Sequence, residues 1–365
     1  MEINIHNSRN YGIDLLRILA MYMVVLLHVT DCGIIESCEK YSMNYYVGWF
    51  IETAVYCAAN VFAMITGYVM TSTVFNGFKM ITLWLMVFFY SATITILFYF
   101  VPSFSVLHEV SKAELIKGIC FPVISRQYWY FSSYFGMFFF IPFINKMLHS
   151  LSEKEHKILC VTIIVIFSLL SMVGDAFRTG GGYTTLWLTC LYVLGAYFKL
   201  HPVKLSKTKC FALYIISVSC AWLAKMIMQA LAARFMWKNM EINYFISYTS
   251  IFIVVSGVAL LLLFSQIEIK GGVAQKIIGF VSSLAFSVYI IHAHPFIFNY
   301  VLNGRFSDLA YGSGALLTLK VLLIAFLIFI TCCIIDVFRC FLFKLFKIHK
   351  IPGTLMELRN KRLID

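Results

Sequence analysis

Apolar residues in this chain run in long unbroken blocks, and polar residues gather in the short stretches between them. Blocks long enough for a helix to cross the hydrocarbon core fall near residues 13–30, 46–70, 80–101, 129–148, 158–174, 184–199, 210–231, 243–265, 277–301 and 315–345. Since a spanning helix needs roughly 20 such residues, the pattern predicts an all-α polytopic membrane helix bundle with about ten transmembrane helices. The blocks at 158–174 and 184–199 are short and the last is long, so a break or an interfacial extension is expected there. Between 102 and 128 the pattern becomes amphipathic, with Val110, Leu115 and Ile119 set against Lys112, Glu114 and Lys117, as in a segment lying on a membrane surface.

Composition agrees with the pattern. Of 365 residues, 61% are hydrophobic and only 13% charged, far more apolar surface than a soluble core can bury. A net charge of +12 would suit nucleic acid on a solvated basic face, but here the cations sit in short connectors, so topology accounts for them and no nucleic-acid partner is expected. With the N-terminus inside, roughly 18 Lys and Arg fall in cytoplasmic segments and roughly 8 in external ones, which places both termini in the cytoplasm. The expected organisation is a bundle over 1–346 and a basic cytoplasmic tail over 347–365. The block at 13–29 has no small-x-small site after it and reads as a first membrane helix rather than a cleaved signal. Cysteines show no metal or redox spacing; Cys32 and Cys38 share one external loop and could pair in an oxidising compartment. No metal site, Walker loop or dinucleotide loop is present, and no internal repeat.

Polar residues inside apolar blocks mark the places to question, since each needs a partner or a wet cavity. In the first block, Asp14, Arg17 and His28 occur in GIDLLRILAMYMVVLLHV. Eleven residues at 100° each return Arg17 and His28 to within about 20° of one face, about 16 Å apart, with Asp14 one turn from Arg17. That stripe suits a long, thin ligand, with a cation at the cytoplasmic mouth and an imidazole able to accept a proton deeper in. Equally, Arg17 snorkelling beside Asp14 and His28 bonding a neighbouring helix would explain the spacing. Near the other end, Tyr289, His292 and His294 precede Pro295, which predicts a kink near Ile291. Asn60 is a cavity candidate and Gly67 a close-packing position. Trp129 and Tyr130 suit an interfacial belt, Arg126 and Gln127 a solvated external surface, and Lys225 and Lys320 snorkelling.

These residues also form a phrase set. I-D-x-L-R-x10-H is met by Ile13, Asp14, Leu16, Arg17 and His28; a second-helix phrase like F-x-x-x-S-G-Y by Phe62, Thr66, Gly67 and Tyr68; an aromatic phrase by Trp129, Tyr130, Gly136 and Pro142; and Y-x-x-H by Tyr289 and His292. In this the chain resembles membrane acyltransferase family 3, the polytopic O-acyltransferases of cell-surface glycans, across most of its length. Two positions depart from the family: Lys79 and Thr82 stand where members often carry Arg-x-x-Arg, and Gln127 where many have His.

The resemblance implies an O-acyltransferase, most often an O-acetyltransferase, of the cell membrane. It would move an acyl group from acetyl-CoA or another acyl-CoA in the cytoplasm to a hydroxyl of a surface polysaccharide or lipid-linked glycan. On that reading Asp14 and Arg17 shape the cytoplasmic mouth, Arg17 and Lys79 meet the CoA portion, and His28 is either general base or transient acyl carrier. Asn60, Tyr289, His292 and Trp129 become candidate substrate contacts. A transporter or flippase of a polar solute or lipid-linked sugar is the alternative from another class, with no inverted repeat to support it.

Overall fold

The computed structural model describes residues 9–101, 111–125, 127–172, 174–235, 243–351 and 353–354, and it is helical with no strand among them. In chain order the helices are α1 (Tyr11–Asp31), α2 (Ile34–Ser37), α3 (Met43–Val55), α4 (Ala58–Met70), α5 (Phe78–Phe100), α6 (Lys112–Cys120), α7 (Trp129–Phe138) and α8 (Ile141–Ser150). There follow α9 (Glu153–Ile164), α10 (Thr185–Leu200), α11 (Lys207–Arg234), α12 (Ile251–Ser265), α13 (Gly272–His292), α14 (Pro295–Ile297) and α15 (Gly314–Leu345). Side-chain oxygens of Asn10, Ser42, Ser152, Thr184, Ser206 and Ser313 accept backbone N–H bonds at the starts of α1, α3, α9, α10, α11 and α15, satisfying donors that a helix start leaves open.

Among the described residues seven helical segments are long and apolar enough to cross a membrane, and α10 and α12 are shorter apolar helices. The expected block at 129–148 is divided, because Pro142 in the first turn of α8 has no N–H to continue α7. The block at 243–265 becomes helical only from Ile251. Outward faces are apolar, as on α15, where Leu319, Ile334 and Phe338 are more than half exposed. A hydrocarbon surrounding suits such faces, whereas water does not. The helix α6 keeps its expected two faces, with Lys112 and Lys117 exposed and Leu115 and Ile119 half-buried. Val110, Arg126 and the tail residues 355–365 lie outside the described residues.

The centre of the bundle is set by glycine. A Cβ on Gly67 would come within 2.0 Å of the Tyr192 carbonyl oxygen, and one on Gly195 within 2.0 Å of that of Met64. Backbones of α4 and α10 therefore touch directly, the packing role expected of Gly67. Elsewhere, Asp336 on α15 accepts from the Tyr90 hydroxyl at 2.7 Å and from Arg339 Nε at 2.7 Å, tying α5 to α15 through a satisfied buried group.

One expectation fails here. Lys225 does not snorkel: it is 3% exposed, its Nζ donates to Asn243 at 2.7 Å and lies 3.6 Å over the Trp49 ring, because a cation–π face and an amide oxygen replace water. Cys32 and Cys38, which could have paired, carry free, buried thiols. Lys320 is exposed on α15, as expected of a snorkelling side chain.

Candidate active site

A cavity of about 240 Å³ lies among α1, α4, α7 and α13, and both Arg17 and His28 line it. The one-face relation of these two residues, three helical turns apart, is thus realised as two ends of one space. Between them the walls are apolar, supplied by residues such as Met21 and Phe62.

At the Arg17 end, Asp14 is the organising group. Its carboxylate accepts from Arg9 Nε at 2.5 Å, Arg17 Nη1 at 2.8 Å and the Ser282 hydroxyl at 3.1 Å, and Arg17 Nη1 also donates to Ser282 at 3.0 Å. Arg17 Nε and Nη2 have no partner among the described residues. A crevice of about 280 Å³ continues outward from Arg17 past Arg9, Tyr68 and Lys199. The Lys199 ammonium sits 5.2 Å over the Tyr68 ring. Three cations against one carboxylate leave this mouth with net positive charge, an arrangement that favours an anion.

At the other end two histidines face each other. His28 Nδ1 and His292 Nε2 are 2.9 Å apart, and His292 Nδ1 lies 2.5 Å from the Val288 carbonyl oxygen. A carbonyl only accepts, so His292 carries its proton on Nδ1 and, with both rings neutral, takes the Nδ1–H of His28 on Nε2. His28 is thereby left with an unprotonated Nε2, which has no other partner among the described residues. That is the tautomer a general base requires.

Pro295 explains how His292 reaches this position. α13 ends at His292, the Ile291 carbonyl accepts from His294 N–H at 3.3 Å, and the His294 side chain caps α14 by accepting from Phe296 N–H at 3.2 Å. The predicted kink is a full break. His294 then meets the Gln127 amide at 2.9 Å away from the cavity, which corrects the expectation that Gln127 is merely solvated.

Trp129 and Tyr289 both line the cavity. Trp129 is packed on Tyr183 and Tyr248, with ring centroids 4.5 and 5.4 Å away, so it is a wall of the site rather than part of an interfacial belt. The Tyr289 hydroxyl accepts from Tyr130 N–H at 3.3 Å. Asn60 is buried behind the wall, donating to the Tyr248 carbonyl at 2.7 Å and accepting from Trp187 Nε1 at 3.2 Å; it holds Tyr248 in place. Lys79 is exposed on a separate crevice at the start of α5, apart from the Arg17 mouth. Arg9, Lys199, Ser282 and Tyr248 line these spaces too, beyond the residues the sequence pointed to. Arg9 and Lys199 carried only a signal of topology, and Ser282 and Tyr248 none. Among the described residues no cluster of three or more His, Cys, Asp or Glu is arranged to hold a metal.

The family model for the acyltransferase domain, acyltransferase family 3, matches residues 10–338. The chain belongs to acyltransferase family 3. It is accordingly an acyltransferase of a class other than aminoacyl transfer, and the matched region contains Asp14, Arg17, His28, Trp129, Tyr289 and His292. Comparison with curated proteins and with solved structures returned no match.

Outside the cavity, the connector between α9 and α10 carries Tyr183 to the Trp129 wall. Asp175 folds this connector by accepting from Thr179 N–H at 2.6 Å, the Thr179 hydroxyl at 2.5 Å and Gly180 N–H at 2.7 Å. Partial burial pushes its carboxyl upward, but these bonds to the charged form outweigh it and hold the group below its ordinary value.

Proposed function

We propose that this membrane acyltransferase is an O-acetyltransferase that takes the acyl group of acyl-CoA at the cytoplasmic face and places it on a hydroxyl of a surface polysaccharide or lipid-linked glycan. The observation that carries the reading is the chain from the Val288 carbonyl through His292 to His28, set at the far end of a cavity whose near end is cationic. The donor's phosphates meet Arg9, Arg17 and Lys199, while its thin arm runs along the apolar walls and brings the thioester to His28. His28 Nε2 takes the proton of the acceptor hydroxyl as that oxygen attacks the thioester carbonyl. When the carbon–sulfur bond breaks, the proton goes to the departing thiolate, giving the ester and free thiol. His292 positions His28 and fixes its tautomer. The distribution of basic connectors supports the orientation in which the Arg17 end faces the cytoplasm.

The test is transfer of radiolabelled acetyl from acetyl-CoA in purified membranes. The intact protein is expected to label glycan or lipid, and His28→Ala at equal expression to lose about 10²–10⁴-fold in rate. Full activity of His28→Ala would remove this mechanism.

A further inference from the structure

A second crevice, of about 380 Å³, lies between α5 and α15, walled by Thr82 and Leu85 on one side and by Arg339, Cys340, Phe343 and Lys344 on the other. It shares no wall residue with the cavity between Arg17 and His28, and Thr82 and Lys344 at its rim are exposed. Most of this wall is apolar, yet Arg339 stands in it at 7% exposure. Buried Asp336 orients the guanidinium: Nε and Nη2 donate to its two oxygens at 2.7 and 3.0 Å, and Nη2 also reaches Cys340 Sγ at 3.1 Å. Both N–H groups of Nη1 are left without a hydrogen-bond partner among the described residues. Asp336 balances Arg339, and Lys344 makes no ion pair among the described residues, so the crevice keeps one net positive charge.

Depth in the bilayer says what such a crevice meets. α15 has 32 residues and is about 48 Å long, whereas a hydrocarbon core is about 30 Å thick. Arg339 lies about 38 Å along the helix from Gly314, so Arg339 and Lys344 reach headgroup level, while Phe338 and Phe341 beside them turn outward, 62% and 59% exposed. We infer that this crevice binds one anionic phospholipid. Its phosphate accepts from Arg339 Nη1 and is neutralised by Lys344, and an acyl chain lies over Leu85 and Phe343. A soluble anion would leave those apolar walls uncovered, and a zwitterionic lipid would bring its own cation against Lys344. The site is independent of the acyl-transfer reading.

Native mass spectrometry of the full-length protein in detergent micelles tests this, by titration with dioleoyl phosphatidylglycerol or dioleoyl phosphatidylcholine. One phosphatidylglycerol is expected to be held at least about fivefold more tightly than phosphatidylcholine. Lys344→Glu, at an exposed position where the fold is not at stake, narrows that ratio to about twofold or less. Arg339→Lys keeps a cation for Asp336 but removes the Nη1 donors, and weakens phosphatidylglycerol about tenfold. Lys276→Ala, exposed on α13 outside the crevice, leaves the ratio within about twofold of the unaltered protein and so separates a built site from diffuse surface attraction. Equal retention of the two lipids, a ratio unchanged in Lys344→Glu, binding unchanged in Arg339→Lys, an equal fall in Lys276→Ala, or displacement of the bound lipid by inorganic phosphate overturns the inference.

Discussion

At the Arg17 end of the cavity, Arg9, Arg17 and Ser282 converge on one carboxylate, and Lys199 stands over Tyr68 beside them. At the His28 end the polar chain is only two imidazoles and a backbone carbonyl, closed in by aromatic rings. The first arrangement holds net charge near water, where partly exposed guanidinium groups keep their hydration: the Arg9 side chain is 53% exposed and that of Arg17 30%. In the second, nothing needs to be charged at rest, and a proton moves only when an acceptor supplies one. On the proposed reading, capture of an anionic donor and activation of a hydroxyl have different electrostatic needs, met about 16 Å apart on one helix.

Variants that strike one end and spare the other break this comparison most sharply. The largest effect is the His28→Ala loss already given, read as a fall in turnover with acyl-CoA binding retained. Next, His292→Ala lowers turnover about tenfold or more, whereas His292→Gln, whose amide can accept from His28 and donate to Val288, retains more of it; equal losses in the two would remove the positioning role. Arg17→Ala raises the KM for acyl-CoA by about tenfold to a hundredfold, the worth of charged hydrogen bonds to phosphate, with a smaller change in turnover. Lys199→Ala raises the same KM by up to about fivefold, and that effect shrinks in high salt because the group is partly solvated. Lys79→Ala, on its separate crevice, leaves donor KM within about twofold of the unaltered protein; a larger change would extend the donor's path to the start of α5.

Much of this was legible along the chain, for reasons that can be stated residue by residue. The helical period alone put Arg17 and His28 on one face of α1, and an apolar context made them conspicuous. Gly67 was readable as a close approach because only a hydrogen fits against the Tyr192 carbonyl. Pro295 announced a disruption beside His292. Other assignments misled because their signals were compositional. Trp129 looked like a membrane-interface residue, as amphipathic rings do, until its neighbours Tyr183 and Tyr248 placed it in the cavity wall. Gln127 and Lys225 looked solvated because polar side chains usually are, yet each has a specific partner.

By itself, then, the sequence determined a helical bundle with apolar faces suited to a bilayer, and the Arg17–His28 stripe, because both follow from local composition and the 3.6-residue turn. Only tertiary structure decided that His292, 264 residues away, is the partner of His28, that Ser282 closes the Asp14 and Arg17 triangle, and that Lys199 rather than Lys79 stands at the mouth. The position of Lys199 over Tyr68 depends on how closely α4 and α10 seat on each other at Gly67 and Gly195, and that of His292 on where α13 breaks. Such relations lie between helices, whereas periodicity reports only the faces within one.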